Sequence, residues 1–111
     1  MEEQLRGRDP EFLHQLFTPG EIAYCGSQRH PAQHYAARVA AKEAVFKALN
    51  LNGRDGASWR EVEVRPEPGG GRRVVLHGRI KRLAERRGVR RVLVSLSHTR
   101  ALAAASILLE S

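Results

Sequence analysis

Two charged side chains, Glu43 and Lys47, lie one helical turn apart in a segment suited to phosphate chemistry. The carboxylate could ligate a hard divalent cation, and the ammonium group could contact phosphate oxygens or assist proton transfer. Arg38 and Lys42, also one turn apart, add two cations to the segment. The simpler alternative is a surface ion pair, since Glu–Lys pairs at this spacing contribute only a few tenths of a kcal/mol. The segment alone does not decide between the two interpretations.

A second polar group lies between the two most apolar stretches of the chain, residues 92–96 and 102–109. These stretches predict two strands of one hairpin, with Ser97, His98 and Thr99 at its tip. Rigid strands fix the positions of hydrogen-bond donors, so such a tip could bind an anion. The group could equally be a turn, because serine and its polar neighbours are common turn residues.

The four charged residues Arg38, Lys42, Glu43 and Lys47 are predicted to lie on one long helix. Residues 32–52 are rich in alanine and contain no glycine or proline. At about 100° per residue, Tyr35 and Val39 lie on one face, and Ala37 and Ala41 lie nearly opposite. We therefore expect the helix to be covered on two sides.

The remaining pattern predicts one α+β domain, residues 1–111, with a largely antiparallel sheet packed against the long central helix. Thr18 and Glu21 form a predicted capping box at the start of a short helix. Val62 and Val64 are expected to face inward and Glu63 outward. The other predicted elements are a short helix at 11–17, strands at 59–65 and 73–77, and a basic amphipathic helix at 78–87.

The formal net charge of +7 in 111 residues calls for a partner hypothesis. Nucleic acid, a polyphosphate ligand or an acidic protein would fit the charge. Nucleic-acid binding finds little support, because the few aromatic residues do not alternate with basic ones. No apolar run has membrane-spanning length, so we expect no membrane partner. The single cysteine, Cys25, fits a cytoplasmic protein and is expected to pack in the core.

Taken together, the two polar groups and their surroundings resemble the bacterial holo-(acyl carrier protein) synthases, the small 4'-phosphopantetheinyl transferases. The similarity runs from Phe12 to Glu110. It includes the segments Phe17-Thr18-Pro19-Gly20-Glu21, Lys42-Glu43-Ala44 with Lys47, Val62-Glu63-Val64 and Ser95-Leu96-Ser97-His98-Thr99.

The resemblance implies an enzyme that moves the phosphopantetheine arm of coenzyme A onto a serine of an acidic acyl carrier protein. It implies that Glu43 ligates Mg²⁺ and that Lys47 contacts the phosphates or assists deprotonation of the serine. It also implies a homotrimer with sites between subunits. The implied coenzyme A contacts are Arg38, Lys42, Lys47, Ser97, His98 and Thr99.

One family feature is missing from the pattern. Members of the family begin with an apolar strand that ends in Gly-x-Asp, and its aspartate is the other protein ligand of the metal. Gly7-Arg8-Asp9 is the only Gly-x-Asp before Phe12, and it lies in a polar segment. We therefore expect this chain, without that strand, to fold and bind coenzyme A but to transfer weakly. The alternative is a non-catalytic relative that binds coenzyme A or the carrier protein.

Overall fold

A computed structural model describes residues 10–51, 59–98 and 103–110, and in them four α-helices and four strands alternate as an α+β domain. A single 3₁₀ turn, Trp59–Glu61, precedes the first strand. The elements are α1 (Pro10–Leu16), α2 (Pro19–Gly26), α3 (Pro31–Ala48), β1 (Val62–Pro66), β2 (Arg72–Leu76), α4 (Gly78–Arg86), β3 (Arg91–His98) and β4 (Ala103–Glu110).

The start of α2 is fixed by the predicted capping box. The Thr18 hydroxyl accepts a hydrogen bond from the Glu21 backbone N–H at 3.2 Å, and the Glu21 carboxylate accepts one from the Thr18 N–H at 3.0 Å. Pro19 occupies the first turn, where a missing N–H costs nothing. The predicted capping box is confirmed. It places Glu21 in the first turn of α2, where the residue is buried.

Helix α3 ends at Ala48, before the limit of its glycine-free window. Asn50 has a left-handed φ of 57°, a conformation that asparagine tolerates better than most residues. The Leu51 N–H then bonds to the Phe46 carbonyl at 2.7 Å and closes the helix end. The helix is therefore shorter at its end than residues 32–52 predict.

The strands form two antiparallel hairpins that lie beside α3. Val64 pairs with Val74 in the β1–β2 hairpin, and β2 lies close to β3. In the second hairpin, β3 continues through Ser97 and His98, which pair with Ala104 and Ala103. The prediction of a turn at Ser97 and His98 is therefore wrong, because ladder pairing extends through both residues. Thr99 lies outside the described residues.

The core has two parts, one on each side of α3, which confirms that this helix is covered twice. Tyr35 and Val39 pack with α1 and α2, whereas Ala41, Val45 and Leu49 pack against the hairpins and α4. Cys25 is fully buried, as expected of a packing residue, and this burial raises its thiol pKa to about 12. A thiol with so high a pKa is a poor nucleophile.

Glu63 does not face outward as predicted, since only 7% of the residue is exposed. Its carboxylate accepts hydrogen bonds from the Thr18 hydroxyl at 2.9 Å and Arg65 Nε at 3.0 Å, and it lies 2.9 Å from His77 Nε2. Burial raises the pKa of Glu63, but these three hydrogen bonds together outweigh it and hold the pKa below its ordinary value. Strand β1 is covered on both faces because the start of α2 packs over its outer side.

Candidate functional site

Lys42 lies inside the protein, with no exposed surface. Its ammonium group donates to the Glu21 carboxylate at 2.9 Å, to the Trp59 carbonyl at 2.9 Å, and to the Val62 carbonyl. The same Glu21 accepts the Val64 backbone N–H at 3.0 Å. Lys42 thus uses all three of its donors to join α3 to α2 and to the start of β1.

The surroundings of Lys42 set its chemistry. Burial lowers the pKa of Lys42, and the Glu21 carboxylate partly offsets this effect. A contact between Lys42 and a phosphate would require one of its three internal hydrogen bonds to break. The family resemblance implies a coenzyme A contact for Lys42. In the structure its three hydrogen bonds hold α3 to α2 and to the start of β1.

Glu43 and Lys47 are exposed along the opposite edge of α3. In the part of the chain that the structure describes, Glu43 has no hydrogen-bonding or ion-pairing partner. The ion pair with Lys47 that their spacing allows is not formed. Both side chains are therefore available for other contacts, which weakens the interpretation of the two as a mere surface pair.

Arg38 is the most unusual side chain of α3, because its guanidinium is buried and no carboxylate of the described residues pairs with it. Only 1% of the residue is exposed. Its Nη1 donates to the His34 carbonyl at 3.3 Å, and its Cζ lies 4.7 Å from the centre of the Tyr24 ring. Nε and Nη2 are buried and reach no acceptor among the described residues. Buried donors without acceptors are costly, so this arrangement points to an external anion.

A cavity of about 280 Å³ opens beside Arg38, between α3, the β1–β2 turn and β3. No carboxylate lines it among the described residues, so its electrostatic potential favours an anion. Residues on its wall include His34, Arg38, Gly70, Gly71, Arg72 and Ser95.

Ser95 lines this cavity, and β3 continues from it to Ser97 and His98. The structure thus brings the strand that carries the second predicted group to the same cavity as Arg38. Thr99, the last predicted contact of this group, lies outside the described residues.

Glu43 is not on the Arg38 side of α3. Five positions separate them, which corresponds to roughly 140° around a helix of 3.6 residues per turn. One chain therefore holds the buried arginine and the exposed carboxylate on different faces of α3. A ligand that touched both groups within one chain would have to pass around the helix.

Glu43 fits the requirements of a magnesium ligand in one respect, since it is an exposed hard oxygen donor on a rigid helix. Among the described residues, no group of three or more His, Cys, Asp or Glu side chains could hold a metal ion. Magnesium does not need such a group, because it binds through one or two carboxylates together with water and substrate phosphates. Gly7-Arg8-Asp9 lies outside the described residues.

Sequence reasoning missed the residues that surround Arg38. Neither residue type nor spacing distinguishes Arg72 from the other arginines of the chain, yet it lines the cavity. Tyr24 lies on a short helix, and only the folded structure brings it against Arg38. A glycine-rich turn at residues 69–71, followed directly by arginine, was the one local signal that could have suggested an anion site.

Helix α4 carries a second, more open basic surface. A depression of about 510 Å³ has Arg79, Arg82, Arg86 and Arg87 on its wall. Arg87 also donates to the Leu49 carbonyl at the end of α3. This surface accounts for much of the positive charge.

None of the helices in the described part of the chain is both long and apolar enough to span a membrane.

Known proteins resemble this chain over nearly its whole length. A family model described as the 4'-phosphopantetheinyl transferase superfamily matches residues 1–105. A holo-(acyl-carrier-protein) synthase of Moorella thermoacetica is 49% identical over 104 residues, which cover 94% of this chain and 80% of that protein.

Solved structures agree with the family match. A holo-(acyl-carrier-protein) synthase of Neisseria meningitidis shares the fold with a TM-score of 0.84 at 24% identity, over 99% of this chain and 89% of that one. A Chronobacterium ammoniagenes ACPS–CoA complex has a TM-score of 0.78 at 29% identity, over 97% of this chain and 87% of that one.

Proposed function

Because the chain belongs to the holo-(acyl carrier protein) synthase family of 4'-phosphopantetheinyl transferases, we propose that it transfers the phosphopantetheine arm of coenzyme A to a serine of an acyl carrier protein. In this reaction the serine oxygen attacks the phosphorus that bears the pantetheine arm. The bond from that phosphorus to the bridging oxygen of the pyrophosphate breaks, and adenosine 3',5'-bisphosphate leaves. The serine proton passes to a base.

The buried guanidinium of Arg38 is the observation that carries the proposal. Its two buried N–H groups reach no described acceptor, and the cavity beside them has no described carboxylate on its wall. Coenzyme A supplies phosphate oxygens, which are strong acceptors for arginine. We propose that Arg38 binds a phosphate of coenzyme A, with Ser97, His98 and Thr99 near the end of β3 as further contacts.

Glu43 and Lys47 are proposed to act at the reacting pyrophosphate. Glu43 would hold Mg²⁺, which when bound would neutralise pyrophosphate charge. Lys47, one turn further along the exposed edge of α3, would contact a phosphate oxygen or receive the serine proton. Positioning and charge neutralisation supply most of the catalysis in phosphoryl transfer.

A homotrimer would explain why these groups lie on different faces of α3. If coenzyme A lies between two protomers, Arg38 of one and Glu43 of its neighbour can reach the same molecule. Leu93 supports such contact, because it is the exposed large apolar residue of the described chain, at 40% exposure, and it directly precedes Val94, which lines the cavity. We therefore propose a trimer whose sites lie between subunits. We also propose that the protein works in the cytoplasm, which its single cysteine fits.

A transfer assay with variants of α3 tests the catalytic assignment. The matched control for Glu43→Gln is Glu85→Gln, an exposed carboxylate on α4. Glu43→Gln should abolish magnesium-dependent transfer without changing the fold, because it removes one metal ligand at nearly constant volume. Lys47→Ala should lower kcat by roughly 100-fold or more, with less effect on the magnesium concentration required.

The same assay separates the enzyme from its alternative, a non-catalytic binding relative. Coenzyme A binding without any transfer by the unmodified chain would favour that relative. Equal transfer by the Glu43→Gln and Glu85→Gln variants would contradict the metal assignment.

A further inference from the structure

Tyr24 contacts two guanidinium groups at the Arg38 cavity. The Cζ atom of Arg38 is 4.7 Å from the centre of the Tyr24 ring, and that of Arg72 is 5.5 Å from it. The ring also meets the His34 ring edge-on, with 6.0 Å between centroids. One aromatic side chain therefore contacts three of the residues that line the cavity.

Arg72 is held toward the cavity by several hydrogen bonds. Its Nη2 donates to the Tyr24 hydroxyl at 3.0 Å, and its Nη1 donates to the Gly70 and Gly71 carbonyls at 3.1 Å each. All of these acceptors are neutral, so none of them cancels the arginine charge. Arg72 is thus fixed in place as a cation.

Two cations beside one cavity, with no described carboxylate on its wall, repel each other unless an anion binds between them. Stacking on the two guanidinium groups lets Tyr24 hold them in position despite this repulsion, since an aromatic face attracts cations. The Tyr24 hydroxyl adds an acceptor for Arg72. The arrangement is therefore preorganised for a phosphate rather than assembled when the ligand arrives.

We propose that Arg72 is a second phosphate-binding arginine of this cavity and that Tyr24 is the residue that positions both guanidinium groups. The inference rests on the proposed function, in which the phosphate belongs to coenzyme A. It assigns ligand recognition to the start of β2 and to α2, two elements that carry none of the residues placed at the reaction.

The first test is a calorimetric titration of Arg72→Ala with coenzyme A. Arg73→Ala is the matched control, because Arg73 is the next residue of β2, is exposed, and pairs weakly with Glu67 at 4.0 Å. Loss of one charge-assisted contact should weaken binding to Arg72→Ala by about tenfold. Arg73→Ala should change affinity by less than about twofold, since exposed charges are screened. Equal weakening in both variants would overturn the proposal.

A parallel titration with dephospho-coenzyme A identifies the phosphate. If Arg72→Ala weakens binding of coenzyme A but not of the dephospho form, Arg72 binds the 3'-phosphate. If it weakens both by the same factor, Arg72 binds the pyrophosphate. Either result supports a phosphate-binding role for Arg72.

Variants of Tyr24 test the positioning role. Tyr24→Leu removes the ring and the hydroxyl, so it should raise the Kd and the KM for coenzyme A and leave kcat unchanged. Tyr24→Phe should recover most of the affinity, because the ring still stacks on Arg38. In an Arg38→Met background, Tyr24→Leu should have a smaller effect, since Arg72 is then the one guanidinium that the ring still positions.

The outcomes separate this inference from the function on which it rests. If the unmodified chain does not bind coenzyme A, the proposed function fails. If it binds, and folded Tyr24→Leu and Arg72→Ala bind equally well, only the present inference fails. Circular dichroism of each variant establishes that it is folded.

Discussion

Arg38 illustrates how a binding residue can oppose stability. Its buried Nε and Nη2 groups lack described acceptors, and such groups cost roughly 1–3 kcal/mol each in a protein interior. We expect Arg38→Met to leave the free energy of unfolding unchanged or raise it, and to weaken coenzyme A binding by at least about tenfold. Thermal denaturation and calorimetry would measure the two effects. A destabilised variant that still bound coenzyme A normally would show that Arg38 is structural.

Lys42 and Lys47 lie five residues apart on α3, yet we expect opposite consequences from their loss. Lys42→Met leaves Glu21 buried without its cation, which should lower the free energy of unfolding by about 3–5 kcal/mol. Lys47→Met should change it by less than about 0.5 kcal/mol, because the side chain is exposed. Chemical denaturation provides the comparison. The assignment fails if the Lys42 variant is as stable as the Lys47 variant.

The individual residues show where prediction from sequence stops. Arg38 and Lys42 lie one helical turn apart, as Glu43 and Lys47 do, and the family resemblance implies that Arg38 and Lys42 both contact coenzyme A. Only the fold places Lys42 against Glu21 and Arg38 beside a cavity, because both outcomes depend on elements distant in the chain. Local spacing determines which side chains share a helix face, but not what covers that face.

The start of α2 and the first hairpin are linked through Glu63, and this link should respond to acid. The pKa of Glu63 lies below its ordinary value in the folded chain, because Thr18, Arg65 and His77 stabilise the charged form despite burial. Its contribution to stability is therefore complete above about pH 4.3, the ordinary value for glutamate, and is lost as the pH falls through the folded pKa.

Denaturation of Glu63→Gln between neutral and acid pH measures that contribution. We expect the stability difference from the unmodified chain to shrink as the pH falls. Glu67→Gln is the control, because that carboxylate is 46% exposed and makes only a long pair with Arg73. A pH-independent difference for Glu63→Gln would mean that the carboxylate charge does not hold the two elements together.

Most of the helices and strands could be predicted from sequence, because their signals are local. The capping box at Thr18 and the glycine-free run of α3 each identify an element without tertiary information. The errors lie where tertiary contacts override a local pattern. Ser97 and His98 lie in a segment with the composition of a turn, but they continue β3 by pairing with β4. The alternation of apolar and polar residues along β1 predicts that Glu63 is exposed, but α2 covers it.

The charge of the whole chain should govern how it meets its protein partner. With a net charge of +7 and an arginine-rich surface on α4, the chain should attract an acidic carrier protein over long range. We expect the association rate to fall steeply as ionic strength rises, because salt screens such attraction beyond about 8–10 Å. Stopped-flow or surface-based kinetics at two salt concentrations would measure it. Salt-independent association would exclude electrostatic steering.

The identity of the product is the most direct evidence for or against phosphopantetheine transfer by this chain. Incubation of an acidic apo-carrier protein with excess of this chain, coenzyme A and magnesium, followed by intact-protein mass spectrometry, reports transfer even if turnover is slow. We predict that the carrier gains one phosphopantetheine arm on its serine and that adenosine 3',5'-bisphosphate is released in equal amount. A carrier of unchanged mass, in a sample where the folded chain binds coenzyme A, would contradict it.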